Sequence, residues 1–151
     1  MRQSTLAASC NFLFLLSFLF LNSATTWAQA GIETKPDIFP YLASCEQANK
    51  DAQQNCSNKT LLEFIYGEVH YPESAKKAKV EGTAVIDFVV EKDGSIGTMA
   101  LIKSTNHAAL DAEALRVMNV LKARGKIWQP GQTNGKKVAT SFKLPLRFKL
   151  S

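Results

Sequence analysis

The chain has 151 residues, with 18 Lys+Arg against 13 Asp+Glu, 46% hydrophobic and 21% charged. That length accommodates one domain, and the ordinary composition excludes wholesale disorder and a collagen-like fibre. The charge is unevenly spread: Arg2 is the only charged residue in positions 1–30, and the remaining 121 residues carry 17 Lys+Arg and 13 Asp+Glu, a net charge of +4.

The first 30 residues have the three-part plan of a secretory signal peptide. Met1-Arg2-Gln3 is a short positive start, the apolar run is densest over Phe12–Leu21, and Ala28-Gln29-Ala30 is an A-x-A cleavage site. The run is short of the ~20 residues that a spanning helix needs. Cleavage leaves an exported mature chain from Gly31. The alternative is an uncleaved membrane anchor. Cys10 precedes most of the run and is badly placed for lipidation, so export leaves Cys45 and Cys56 as an even pair. In an oxidising compartment such a pair favours a structural disulfide. Its spacing is not C-x-x-C, and no His or second Cys pair flanks it, which argues against a redox site and against zinc.

Residues 31–59 form a polar lead segment with Pro36, Pro40 and an Asn/Gln-rich patch, lacking strong periodicity; it wraps the domain or acts as a stapled linker. Thr60–Tyr66 carries Leu61, Leu62, Phe64 and Ile65 and predicts one or two helical turns, capped by Ser57 or Asn58. Tyr71-Pro72 opens a second short helix to about Lys79, with Pro at the first helical position. Thr83–Glu91 is a strand with Ala84, Ile86, Phe88 and Val90 on one face. Asp93-Gly94 makes a hairpin turn, and Ile96–Ser104 returns. Asn106 is placed to cap a helix over about 107–124. Its stripe is Leu110, Ala114, Val117, Met118 and Leu121, and Asp111 and Glu113 complement the helix dipole. After turns at Trp128-Gln129-Pro130-Gly131 and Asn134-Gly135, the last strand runs from about Lys137 to Leu150. Its apolar and basic residues alternate, as expected for a sheet covered on one side.

These elements predict an α+β fold: a three-stranded antiparallel sheet in the order second-first-third, with helices packed on one face. The last strand is an edge, which suits Pro145. A free edge accepts another strand, whether a peptide or a second copy in a homodimer.

Catalysis and metal binding find no constellation. His70 and His107 lack ligand spacing, and His107 falls at a helix start. Asp111 and Glu113, two apart on a helix, do not face each other. Gly94-Ser95-Ile96-Gly97 is a hairpin with no following Lys-Ser/Thr. Trp128 reads as a core or loop anchor. No enzyme activity and no cofactor are expected, and export argues against nucleic acid as the partner of the basic face.

From about Leu61 to Leu150 the chain resembles the C-terminal domain of the TonB family. The likeness rests on Tyr71-Pro72 with Ala75, Gly82, Asp93-Gly94, Leu110-Asp111 with Ala114-Leu115, Trp128 with Pro130-Gly131, Gly135, and Pro145-Leu146-Arg147-Phe148. The preceding Cys45-Glu46 and Cys56 are similar to Bacteroidetes-type versions, in a short form without a proline-rich spacer. The resemblance implies a periplasmic module, residues 60–151, that pairs its edge strand with the N-terminal box of TonB-dependent outer-membrane receptors in energy-coupled transport. The implied contacts are Lys137, Ala139, Ser141, Lys143 and Arg147 on the last strand, and Glu68, His70 and Tyr71 before the short helix. An uncleaved anchor would add inner-membrane motor proteins as partners. The other reading is a soluble envelope protein that keeps the fold without force transduction and meets peptidoglycan through its basic face.

Overall fold

The computed structural model describes residues 31–150; the expected signal segment lies outside the described residues. In chain order the elements are β1 (Tyr41–Leu42), a 3-10 turn (Ala43–Cys45), α1 (Lys50–Glu68), α2 (Glu73–Lys77), β2 (Gly82–Val90), β3 (Ile96–Lys103), α3 (Ala108–Ala123), β4 (Trp128–Gln129), β5 (Gly131–Thr133), β6 (Lys136–Val138) and β7 (Thr140–Phe148).

The central sheet has the order β3-β2-β7, and both pairings are antiparallel. This is the expected second-first-third arrangement. β2 and β7 pair without a register break, from Gly82 opposite Phe148 to Val90 opposite Thr140. Side chains alternate across a strand, so Ala84, Ile86, Phe88 and Val90 share a face with Leu144, Leu146 and Phe148, and all are buried. The α3 stripe of Leu110, Ala114, Val117, Met118 and Leu121 is buried in the same core. Each large aliphatic or aromatic side chain so buried contributes about 1.5–3 kcal/mol.

The β2–β3 turn shows why glycine stands at its apex. Gly94 has φ +85°, and a Cβ there would lie 2.1 Å from the Trp128 carbonyl oxygen. The Trp128 N–H donates to the Gly94 carbonyl at 3.2 Å, so the turn is pressed against β4. Trp128 is a core anchor, packed against the rings of Phe88 and Phe142, which stack on each other at 5.5 Å.

Three local expectations are corrected. First, the Asn/Gln-rich part of the lead segment is helical: α1 begins at Lys50, and the Asn49 side chain caps it by accepting from the Asp51 and Ala52 N–H groups. Ser57 is therefore no cap. It is buried on the inner stripe with Gln53, Leu61 and Ile65, and its Oγ accepts the Leu42 N–H at 2.9 Å. Second, Asn106 sits at φ 65° and leaves the capping position of α3 to His107, which makes no side-chain cap bond. The Asp111 carboxylate does the fastening instead, accepting from the Thr105 N–H and Thr105 Oγ at 2.8 Å each and from Ser104 Oγ. Third, the last strand is two. β6 folds back on β5 through the Asn134-Gly135 turn, where both residues have positive φ, and the chain bends at Ala139 before β7.

The lead segment wraps the domain. Glu33 bridges in parallel to Thr140 and Ile38 pairs with Gln132; β1 pairs antiparallel with β4. Cys45 and Cys56 form a disulfide, with S–S 2.04 Å and Cα–Cα 5.7 Å, tying the 3-10 turn to α1. Closing a loop of that size stabilises by about 2–3 kcal/mol in the chain-entropy account. Replacing both Cys45 and Cys56 by Ser is therefore expected to lower the urea unfolding free energy by about 2–3 kcal/mol. Added reductant should lower wild-type stability by a similar amount and leave the double variant unchanged.

Candidate functional site

The outer edge of β7 is defined by its ladder to β2. In an antiparallel pair, successive residues alternate between bonding the neighbour and pointing away from it. The Ser141 N–H points away from β2, since it donates to the Glu33 carbonyl at 3.3 Å. By the same parity Lys143, Pro145 and Arg147 turn their backbone groups outward, while Phe142, Leu144, Leu146 and Phe148 bond to β2. Pro145, which has no N–H, thus occupies an outward position where no ladder bond is lost. Among the described residues, no backbone group pairs with β7 on this side beyond Ser141. The side chains of Lys143, Pro145 and Arg147 are exposed on the face opposite the helices.

The expected contact residues divide between this edge and other places. Lys143 and Arg147 stand on the free part of the edge. Ser141 stands at its boundary, with its hydroxyl donating to Asp87 Oδ1 at 2.6 Å; Asp87 also lies directly opposite Lys143 and offsets part of the positive charge there. Ala139 is buried, and its carbonyl accepts the Glu33 N–H at 2.8 Å. Lys137 belongs to β6, opposite Gln132 of β5, and is off the edge.

Glu68, His70 and Tyr71 are fixed by side chains that the pattern of the sequence left out. Arg116 donates through Nε to Glu113 Oε2 and through one terminal nitrogen to Glu113 Oε1, both at 2.8 Å. That nitrogen also reaches the Glu68 carbonyl at 2.6 Å and lies 3.2 Å from His70 Nδ1. The His70 N–H donates to Glu113 Oε1 at 2.7 Å. One ion pair on α3 therefore holds the chain between α1 and α2. Tyr71 follows, its hydroxyl donating to the Val80 carbonyl and its ring edge-on to Phe148 at 6.0 Å. Tyr71 alone of the three touches β7, from the core side.

Glu113 is more than a dipole complement: it is buried. The Arg116 hydrogen bonds hold its carboxyl below the usual glutamate range, with a further contribution from the His70 N–H, against the opposing effect of burial. The same pair raises the Arg116 pKa. Asp111 differs in balance. Burial works to raise its pKa, and the hydrogen bonds from Ser104 and Thr105 together outweigh it, leaving the carboxyl below its ordinary value. Among the described residues, no group of three His, Cys, Asp or Glu side chains is placed to hold a metal ion, and no helix is long and apolar enough to cross a membrane.

The profile of the family described as "Gram-negative bacterial TonB protein C-terminal" matches residues 67–150. No curated protein matches the chain. Among solved structures, the solution structure of the Helicobacter pylori TonB C-terminal domain (its residues 179–285) is 22% identical with a TM-score of 0.48, covering 70% of this chain and 97% of that one. That of the Pseudomonas aeruginosa TonB C-terminal domain is 26% identical with a TM-score of 0.41, covering 54% of this chain and 78% of that one.

A depressed carboxylate stabilises the fold above its unfolded pKa, near 4 for glutamate, and loses that contribution as pH falls through the lower folded value. Glu113→Gln is accordingly expected to cost about 1.5–3 kcal/mol near neutral pH, the range for hydrogen bonds to charged groups. Urea unfolding at descending pH should show the gap between wild type and variant closing only below the unfolded glutamate pKa. A gap that is constant down to strongly acid pH contradicts the assignment.

Proposed function

Since the chain belongs to the family of Gram-negative bacterial TonB protein C-terminal domains, we propose that it is a periplasmic peptide-binding module. In this reading it takes the N-terminal segment of TonB-dependent outer-membrane receptors as an added strand on β7, in energy-coupled transport. The family consists of transport-associated, non-enzymatic envelope domains, whose members interact with outer-membrane receptors in general.

The observation that carries the reading is the outer edge of β7 from Lys143 onward. A row of outward N–H and C=O groups with exposed side chains is a template for an incoming strand. The short parallel bridge made by Glu33 at Thr140 is an intramolecular example of such pairing on the same edge. Backbone pairing supplies most of the attraction in this mode and is tolerant of sequence, so it does not require particular side chains at Glu68 or His70. Lys143, Arg147 and Lys149 are exposed on or beside this stretch and favour carboxylates on the same face of the guest strand. Pro145 removes one donor, so the guest's facing acceptor looks to solvent.

Peptides from the N-termini of TonB-dependent receptors should shift the backbone amide resonances of Lys143, Arg147 and Lys149 more than those of Leu144 or Leu146. Arg147→Pro, which deletes an outward donor without removing a bond to β2, should weaken binding about tenfold, the effect of one hydrogen bond at the strong end of its range. No shift along residues 143–149 at millimolar peptide contradicts the reading.

A further inference from the structure

The free edge of β7 stops abruptly at Ser141, and what stops it is the chain itself. Glu33 donates its N–H to the Ala139 carbonyl at 2.8 Å and accepts the Ser141 N–H at 3.3 Å. It thus fills the place that a guest strand would take if it continued past Lys143 toward Ala139. The residues around it, Gly31, Ile32, Thr34 and Lys35, are exposed, and Ile32 keeps 51% of its surface in solvent. Ile32 and Thr34 line a cleft of about 330 Å³ together with Asp87, Val89, Met99 and Ser141. The segment's hold on β7 is two backbone hydrogen bonds, the second of them long.

The next few residues are fastened differently. Pro36 is buried, the Asp37 carboxylate accepts the Asn134 N–H at 2.8 Å, and Ile38 exchanges both backbone bonds with Gln132, at 2.9 and 3.1 Å. β1 and the Cys45–Cys56 disulfide follow. A lightly held stretch, residues 31–35, is therefore hinged on a firmly held root at Pro36. It is short enough to lift without disturbing the core.

We infer that residues 31–35 are a built-in competitor for the docking edge: they close its first part, around residues 139–141, and must lift before a long guest strand can pair along the whole of β7. The inference rests on the proposed strand-docking function and adds to it a selection by guest length. A short guest docks on residues 143–149 with the competitor in place. A long one binds more weakly than its extra hydrogen bonds would allow, because it replaces bonds the protein has already made to itself.

The test uses the full chain and two synthetic peptides of one alternating valine–glutamate repeat, the shorter matched in length to residues 143–149 and the longer to residues 139–149. Glu33→Pro deletes the donor to Ala139 and sets a ring against that carbonyl, while Glu33→Gln keeps the backbone and serves as control. Relative to wild type, Glu33→Pro should bind the long peptide about tenfold more tightly, the worth of two modest hydrogen bonds. It should bind the short one equally well, and Glu33→Gln should behave as wild type with both. If the short peptide binds but Glu33→Pro leaves the long one unchanged, or changes both alike, the competitor is refuted while the docking reading stands. If neither peptide binds wild type at millimolar concentration, the docking reading fails and takes this inference with it.

Discussion

The unbroken ladder between β2 and β7 governs what the rest of the molecule can present. Because the side-chain period of a strand is two, one register settles two questions together. Thr140, Phe142, Leu144, Leu146 and Phe148 turn their side chains to the core face, and the intervening residues turn their backbone groups to the outer edge. A slip of one residue would send the basic side chains into the core and the aromatic ones to solvent. Pro145 reinforces the register, since it is tolerated only where no bond to β2 is needed. The same constraint that builds the core therefore also prepares the edge.

Polar contacts then decide what surrounds that edge. The Glu113–Arg116 pair on α3 grips the backbone at Glu68 and His70 and so sets where Tyr71 meets Phe148. Ser57 on α1 holds the backbone of β1, and the disulfide locks the same two elements together. Neither set of contacts faces the edge. Their effect is to make the end of β7 near Phe148 and the root of the lead segment rigid, leaving residues 31–35 as the lightly held part between them.

The α3 stripe and the strands were legible because apolar periodicity reports them directly, the Asp93-Gly94 turn because its residues suit a hairpin, and the sheet order and edge position because a hairpin followed by a returning helix fixes the strand directions, with Pro145 fitting the edge. α1 was hidden for the converse reason. Half of its inner stripe is polar, Gln53 and Ser57 standing where apolar residues would mark a helix, and only Asn49 followed by Asp51 offered a capping signal. The bend at Ala139 was masked by alternation that continues through it, although Asn134-Gly135 already implied a hairpin with a strand on either side. Glu113 could have been found: it lies three residues after Leu110 and four before Val117, on the buried stripe, where a charge needs a partner. The Glu33 bridge left no trace, because it is made by backbone alone and any residue with an N–H could stand there.

The outer edge of β7 is shut at Ser141 and open beyond it. Residue-resolved amide hydrogen exchange on the peptide-free protein tests this directly. Phe142, Leu144, Leu146 and Phe148 should be strongly protected, Ser141 weakly protected through Glu33, and Lys143 and Arg147 should exchange almost as fast as an unstructured chain. Protection of Lys143 and Arg147 equal to that of Leu144 and Leu146 would mean that the edge is already covered, and would contradict the account.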